Sequence, residues 1–145
     1  MLKGFYRRLA ERSRRKDRSF EEFIEYVKAT YGDAVTLVLF GSRARGDCNM
    51  LSDYDVLVIC RVEVYDKLRS VKPAWVQLFH YSQERLDRAI ELFDTIIADA
   101  AVEGALLHDG LGLWNMVRDR IFEEIRRRGV EKTGIGWVKK KENNV

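Results

Sequence analysis

The pattern of apolar and polar positions predicts a chain in which helices and strands alternate. Residues 1–18 carry a weak helical stripe of four apolar side chains: Leu2, Phe5, Tyr6 and Leu9. A stronger helix is predicted to begin at Ser19, because Glu22 follows three residues later as in a capping box. Gly32 is predicted to end that helix.

Two apolar runs, at 35–40 and 54–60, are typical of buried strands, and a third strand is predicted over 74–81, just after Pro73. Helices are predicted over 62–70, from an N-cap at Ser82, and over 111–128 up to Gly129. The run 96–107 is either one helix or a helix that leads into a short strand near Leu106. This alternation predicts an α/β (α+β) fold, a β-sheet with α-helices packed on it.

Charge divides the 145 residues into three parts, although the net charge of the whole chain is only +3. Residues 1–18 are predicted as a basic N-terminal helix or arm, 19–130 as a globular domain, and 131–145 as a basic, flexible tail. Basic ends are compatible with a nucleic-acid or acidic partner, but solvated termini explain them equally simply.

Cys48 and Cys60 are too few and too widely spaced for a disulfide framework or a zinc site. No apolar run approaches the length of a membrane span, and the N-terminus lacks the apolar core of a secretory signal. These observations predict a cytoplasmic protein with free thiols and no membrane association.

The segment that follows the first predicted strand has the character of a phosphate-binding turn. Gly41 allows close approach of the backbone to a ligand, and Ser42 lies where a helix would begin, with unpaired N–H groups that favour anions. Arg43 and Arg45 add positive charge. We therefore expect these four residues to bind the phosphates of a nucleotide.

Asp53 and Asp55 form the second half of the candidate site. Residues i and i+2 of a strand point to the same face, so the two carboxylates are expected to lie side by side and to repel each other. A divalent cation would relieve the repulsion, and Mg²⁺ prefers carboxylate and phosphate oxygens together. The pair is thus a candidate metal site beside the phosphate turn.

The order G-S-x-A-R-G, S-D-x-D and then an apolar strand resembles the signature of the DNA polymerase β-like nucleotidyltransferase superfamily. The chain looks most like its minimal nucleotidyltransferases (MNT). The resemblance is sharp from Val38 to Ile59 and diffuse up to about Leu113. It implies that 19–130 form the nucleotidyltransferase domain, with a small mixed β-sheet flanked by α-helices.

The resemblance also implies roles for the candidate residues. Gly41 and Ser42 would hold the β and γ phosphates of an NTP, with ATP the expected donor, and Asp53 and Asp55 would hold Mg²⁺ or Mn²⁺ during transfer of the nucleoside monophosphate. The family uses a third carboxylate on a later strand. At the matching position, between Val76 and Leu78, this chain has Gln77. Three other acids were considered as spatial substitutes: Asp47, Glu84 and Asp109.

Three functions remain open at this point. The first is a metal-dependent nucleotidyltransferase that modifies a protein or small acceptor, with the family implying an antitoxin-like MNT partner of a HEPN-domain protein. The second is a nucleotide-binding or interaction subunit that lacks turnover because of Gln77. The third, not favoured, is a nucleic-acid-binding protein that uses the basic ends. A homodimer is compatible with all three.

Overall fold

The structure is a computed structural model, and it describes residues 2–141. Within these residues the helices are α1 (Leu2–Tyr31), α2 (Ser42–Arg45), α3 (Val62–Val71), α4 (Gln83–Glu91), α5 (Thr95–Glu103) and α6 (Trp114–Arg128). The strands are β1 (Thr36–Phe40), β2 (Tyr54–Ile59), β3 (Val76–Tyr81), β4 (Ala105–Asp109), β5 (Val130–Thr133) and β6 (Gly136–Lys139).

The central sheet has four strands in the order β3-β2-β1-β4. β2 and β3 are parallel, whereas β1 pairs in antiparallel fashion with both β2 and β4. The sheet is therefore mixed, with helices on both of its faces, and the predicted fold class is confirmed. β5 and β6 form a separate antiparallel hairpin.

Alternating side chains of the strands divide the core into two layers. Val56 and Val58 of β2 pack with α1 and α3, whereas Leu57 and Ile59 face α4, α5 and α6. Because successive strand residues point to opposite faces, a strand covered on both sides must be apolar throughout. This requirement explains the continuous apolar runs from which the strands were predicted.

Most predicted elements occur close to their expected positions. The hydroxyl of Ser82 accepts a hydrogen bond from the Arg85 amide, as expected of an N-cap. Gly129 ends α6 in the left-handed conformation with φ 62°. For the segment 96–107 the second alternative is the correct one, because α5 ends at Glu103 and β4 begins at Ala105.

The N-terminus differs from the prediction, because Ser19 does not begin a helix. α1 is one unbroken helix of 30 residues. The predicted basic segment 1–18 is described from Leu2 onwards, and those residues are helical. No proline interrupts the segment, and arginine, lysine and glutamate are good helix formers. Extending a helix that packing has already nucleated costs less than starting a second one, so the local capping signal is overridden.

The C-terminus also differs from the prediction of a flexible tail over 131–145. Residues 130–139 form the β5–β6 hairpin, and residues 142–145 lie outside the described part of the chain. Gly136, the first residue of β6 after the turn at 134–135, has φ 119°, which glycine adopts readily. The side chain of Asp99 on α5 accepts hydrogen bonds from Lys132 Nζ at 2.6 Å and from Trp137 Nε1 at 2.8 Å. Trp137 also packs edge-on against Phe93.

We predict that Asp99→Ala releases this hairpin from α5. The change removes one acceptor shared by two donors on the hairpin. Because the pair is partly exposed, the expected loss in free energy of unfolding is only about 1–2 kcal/mol. Limited trypsin digestion should cleave after Lys132 several times faster than in the wild type. Asp87→Ala, which removes the exposed pair with Arg120, is the matched control. Equal cleavage of both variants would contradict the prediction.

No helix within residues 2–141 combines the length and the apolar composition needed to cross a membrane.

Candidate functional site

The turn between β1 and α2 approaches the acid-bearing strand very closely. Gly41 has φ 74° and ψ −159°, a conformation that side-chain-bearing residues rarely adopt. A Cβ atom at Gly41 would lie 2.6 Å from Oδ2 of Asp55. The backbone carbonyl of Gly41 then accepts hydrogen bonds from the Ala44 and Arg45 amides, which begins the single turn of α2 at Ser42. The two halves of the sequence motif are therefore adjacent in space.

Asp53 and Asp55 flank the first residue of β2. Asp53 is exposed, whereas Asp55 is half-buried and pairs with Phe40, the last residue of β1. Tyr54 lies between them and turns inward, where it stacks on Phe20 of α1 with ring centroids 4.1 Å apart. This inward residue fixes β2, so that the two acids emerge beside the end of β1 and Gly41.

Gln77 lies next to the acid pair. In the parallel register of β2 and β3 it is the partner of Asp55. Its Nε2 donates a hydrogen bond to Asp53 Oδ2 at 3.2 Å. The amide therefore contacts one carboxylate and neighbours the other, but it adds no negative charge.

The environment of Asp55 raises the pKa of its carboxyl group above the ordinary value of 3.8. Burial is the largest cause, repulsion from Asp53 is the second, and Arg45 acts in the opposite direction. The ionised pair is thus disfavoured in the free protein. A cation bound to it would remove the repulsion and replace part of the lost hydration.

This shift predicts a specific effect of Asp55→Asn on stability. Folding raises the pKa of this carboxyl group above its value of 3.8 in the unfolded chain. Such a group stabilises the fold at a pH below 3.8, and this stabilisation is lost as the pH rises through the pKa of the folded state. Without divalent ions, Asp55→Asn should therefore have a higher unfolding temperature than the wild type at pH 7. The difference should disappear as the pH falls towards 3.8.

Thermal unfolding in EDTA at a series of pH values measures this effect. Asp66→Asn, at an exposed position on α3, is the matched control and should not raise the unfolding temperature at pH 7. A lower unfolding temperature for Asp55→Asn at pH 7 would show that the carboxylate stabilises the free protein, contrary to this prediction.

Arg43 points from α2 towards α1 rather than into an open phosphate turn. Its guanidinium donates to the Ser52 carbonyl, with Nη2 at 2.8 Å, and lies 3.7 Å from Asp17 Oδ1. It also covers the ring of Tyr54 at 4.4 Å from the centroid. Arg43 therefore holds the loop that leads into Asp53, and the side chain is almost fully buried in doing so.

Arg45 points in the other direction. Its guanidinium forms ion pairs with Asp47 at 3.1 Å and with Glu103 at 3.2 Å. The hydrogen bonds that its guanidinium donates to these two carboxylates raise the pKa of Arg45 above its ordinary value. Glu103 is a site residue that the sequence does not reveal, because no local signal links position 103 to position 45.

A polar cavity of about 470 Å³ lies beyond Arg45. Asp47 and Glu103 line one side, and the β5–β6 hairpin contributes Lys132, Thr133 and the turn glycines on the other. The hairpin predicted as a loose tail therefore forms a wall close to the candidate site. The Asp99 contacts fix the position of that wall.

The acid pair fits a metal ion of the kind implied by the resemblance. Mg²⁺ is commonly bound by one or two carboxylates together with substrate phosphates and water. Asp53 and Asp55 supply two carboxylates, one of them destabilised as an anion, beside a backbone that a Cβ would obstruct. Within residues 2–141, no three His, Cys, Asp or Glu side chains come together as a metal-binding group.

The other acids considered as substitutes do not join the pair. Asp47 is bound to Arg45. Asp109 lies at the opposite end of β1, where it accepts hydrogen bonds from the Thr36 hydroxyl and from the Leu113 amide. Glu84 lies in the first turn of α4.

The chain is similar to several known proteins. A curated relative named "Putative protein adenylyltransferase MJ1305", from Methanocaldococcus jannaschii, is 25% identical over 119 residues, which are 74% of this chain and 81% of the relative.

Two solved structures are also similar. The first, a "putative nucleotidyltransferase" from Sulfolobus solfataricus, has 21% identity and a TM-score of 0.45, and the match covers 68% of this chain and 84% of that one. The second, a toxin-antitoxin crystallised with AMP-PNP, has 16% identity and a TM-score of 0.47, with 76% and 86% covered.

Residues 20–127 match the family described as "Nucleotidyltransferase domain". The matched span begins within α1 and ends in α6, so it contains Gly41, the acid pair and Gln77. The β5–β6 hairpin lies outside it. The enzyme class expected from the Gly-Ser turn and the aspartate pair is confirmed at the level of the family: the chain belongs to the nucleotidyltransferase domain family.

Proposed function

We propose that this protein is a metal-dependent nucleotidyltransferase that moves a nucleoside monophosphate, with ATP the expected donor, to a hydroxyl group of a protein or small acceptor. The observation that carries the proposal is the approach of Gly41 to Asp55, which places a ligand-accessible backbone beside two carboxylates. The family match supports the reaction class. The name of the Methanocaldococcus jannaschii relative supports adenylyl transfer to a protein.

In this proposal Gly41 and Ser42 bind the β and γ phosphates through backbone N–H groups and the serine hydroxyl. Asp53 and Asp55 bind Mg²⁺ or Mn²⁺, which would supply charge neutralisation at the phosphates. The acceptor oxygen forms a bond to the α-phosphorus, and the bond to the bridging oxygen breaks. Pyrophosphate leaves with that electron pair, and the proton of the acceptor hydroxyl passes to solvent.

The two arginines have different proposed roles. Arg45 has a carboxylate on each side, so a phosphate that displaced Asp47 or Glu103 could pair with the same guanidinium. Arg43 contacts Ser52, Asp17 and Tyr54. It would therefore position the loop before Asp53. A HEPN-domain partner, in an antitoxin-like pair, remains a proposal that rests on the sequence resemblance.

A second candidate function is a nucleotide-binding subunit without turnover. The observation that favours it is Gln77, which occupies the place beside both carboxylates where a third acid would add charge. Such a subunit would bind an NTP in a metal-dependent manner and transfer nothing. A nucleic-acid-binding function, supported only by the basic ends, predicts metal-independent binding that weakens steeply with salt.

Labelled nucleotides distinguish these functions. The purified full-length chain is incubated with α-labelled or γ-labelled NTPs, Mg²⁺ or Mn²⁺, and a lysate of its source. Transfer of the α label, but not the γ label, to an acceptor supports the proposed enzyme. Metal-dependent binding of NTP without transfer to any acceptor would instead favour the binding subunit.

A further inference from the structure

The N-terminal half of α1, residues 2–18, carries an exposed apolar patch on the same side of the helix as the buried half. Phe20, Phe23, Ile24 and Val27 are buried beneath the sheet. Between Phe20 and Leu9 this side of the helix carries the polar residues Ser13, Lys16 and Asp17. Beyond them it carries Leu9, Phe5 and Leu2 at steps of three and four residues. Leu2, Phe5 and Tyr6 are 71%, 49% and 59% exposed. We call this face, with Leu2, Phe5, Tyr6 and Leu9, the α1 overhang.

The α1 overhang is flanked by strong positive charge. Residues 2–18 contain eight basic and two acidic side chains, which leaves a net charge of +6 on a segment about 25 Å long. The basic residues are Lys3, Arg7, Arg8, Arg12, Arg14, Arg15, Lys16 and Arg18. None of the five arginines from 7 to 15 forms an ion pair with any residue that the structure describes. Their charge is therefore available to a partner.

The inner end of this segment is fixed to the candidate site. Lys16 Nζ donates to the Leu51 carbonyl at 3.3 Å. Asp17 pairs with Arg43 and accepts a hydrogen bond from the Tyr54 hydroxyl. A molecule bound along residues 2–18 would therefore lie next to the loop that leads into Asp53.

We propose that the α1 overhang is a docking surface for an acidic amphipathic helix of a partner protein. A partner helix with an apolar stripe between acidic flanks would cover the exposed face and neutralise the unpaired arginines together. This inference goes beyond the proposed function and does not depend on turnover. It also suggests how a protein acceptor is brought next to the acid pair.

Other occupants fit the same surface less well. A second copy that paired through the same face would bring two segments of charge +6 together, which opposes association. Nucleic acid would use the arginines but leave the apolar stripe uncovered. The stripe faces the same side of α1 as the folded domain, because the buried half of α1 covers the sheet with that side. A flat bilayer could not reach it without meeting the domain, whereas a helix can lie alongside.

Binding of a designed probe tests the proposal. The probe is a fluorescent 18-residue peptide with leucines at i, i+3, i+4 and i+7 and glutamates on the flanking positions. Its control is a peptide of the same composition with the leucines dispersed. With the full chain in 150 mM KCl, we expect fluorescence anisotropy to show at least tenfold tighter binding of the amphipathic probe. Equal affinity for the two peptides, or no binding, would overturn the proposal.

Matched variants locate the binding surface. Phe5→Ser/Leu9→Ser should weaken binding of the amphipathic probe at least tenfold and leave the helical circular dichroism unchanged, because neither residue belongs to the buried core. Val71→Ser/Ile135→Ser, at exposed apolar positions elsewhere (52% and 92% exposed), should have no effect.

Three further results would each replace this proposal with another. The first is tighter binding of a 20-nucleotide single-stranded RNA than of the probe, unaffected by Phe5→Ser/Leu9→Ser. The second is tighter binding to anionic phosphatidylserine vesicles. The third is a concentration-dependent dimer that Phe5→Ser/Leu9→Ser dissociates.

Discussion

Asp53→Asn is expected to lower the rate of nucleotidyl transfer by at least about a hundredfold while the fold remains intact. Asparagine keeps the size of the side chain and can still accept the hydrogen bond from Gln77. It removes a negative charge from the pair, so the divalent cation loses much of its electrostatic attraction. Because Asp53 is exposed, its replacement should not disturb the core.

Transfer of the α label from ATP at saturating Mg²⁺ measures this effect. Asp66→Asn, which removes an exposed carboxylate paired with Arg69 on α3, is the matched control and should keep full transfer. EDTA, which removes the divalent cation, should weaken the binding of ATP to the wild type. The affinity of Asp53→Asn for ATP should change much less. Undiminished transfer in Asp53→Asn would show that the acid pair is not the metal site.

Gln77→Asp is expected to raise the rate of transfer about tenfold or more. The side chain at this position lies beside Asp55 in the strand register and contacts Asp53 directly. A carboxylate there would add a third anionic ligand and strengthen cation binding to the site. The same change should lower the unfolding temperature in EDTA, because three carboxylates would then repel one another.

The control for this variant is Gln83→Asp, which changes the only other glutamine of the chain at an exposed position in the first turn of α4. Added Mg²⁺ should restore the unfolding temperature of Gln77→Asp more than that of the wild type or of the control. If the rate rises only in Gln77→Asp, the missing acid limits turnover. An unchanged rate together with an unchanged response to Mg²⁺ would mean that position 77 does not contact the metal.

These two variants also separate the enzyme from the binding subunit. If the wild type shows no nucleotidyl transfer but Gln77→Asp does, the protein is a binding subunit that lacks turnover because of one side chain. A wild-type protein with transfer that depends on Asp53 would be an enzyme that works with two carboxylates. In the second case the nucleotide phosphates must complete the coordination of the cation.

Long-range contacts determine the orientation of two arginine side chains that the sequence identifies only as candidate phosphate ligands. Arg43 and Arg45 are two residues apart and were predicted to act together on phosphate. In the structure Asp17 and Tyr54 hold Arg43 on one side, whereas Glu103 holds Arg45 on the other. A flexible, charged side chain is directed by the nearest partner in space, and no sequence spacing encodes that partner.

The ends of the chain show the same limit. Ser19 and Glu22 have the residue types of a capping box, but they lie inside α1. The second half of α1 packs on the sheet, and the helix that this packing stabilises continues through Ser19 towards the N-terminus. The basic tail became a hairpin because Asp99 and Phe93, more than thirty residues earlier, bind Lys132 and Trp137. A polar composition predicts a flexible segment only if the segment has no packing partners, and here distant elements supply those partners.

The sequence by itself determined most elements from β1 to α6, the combination of helices with a sheet, and the strand–Gly41–Ser42–Asp53–Asp55 motif that led to the nucleotidyltransferase family. These features are local, because apolar periodicity, glycine conformation and the i, i+2 geometry of a strand act over a few residues. Only the tertiary structure decided that Gly41 lies close to Asp55, that Gln77 contacts Asp53, and that Leu2, Phe5 and Tyr6 at the start of α1 are exposed. Those facts depend on strand register and on packing between distant segments, which a local pattern does not specify.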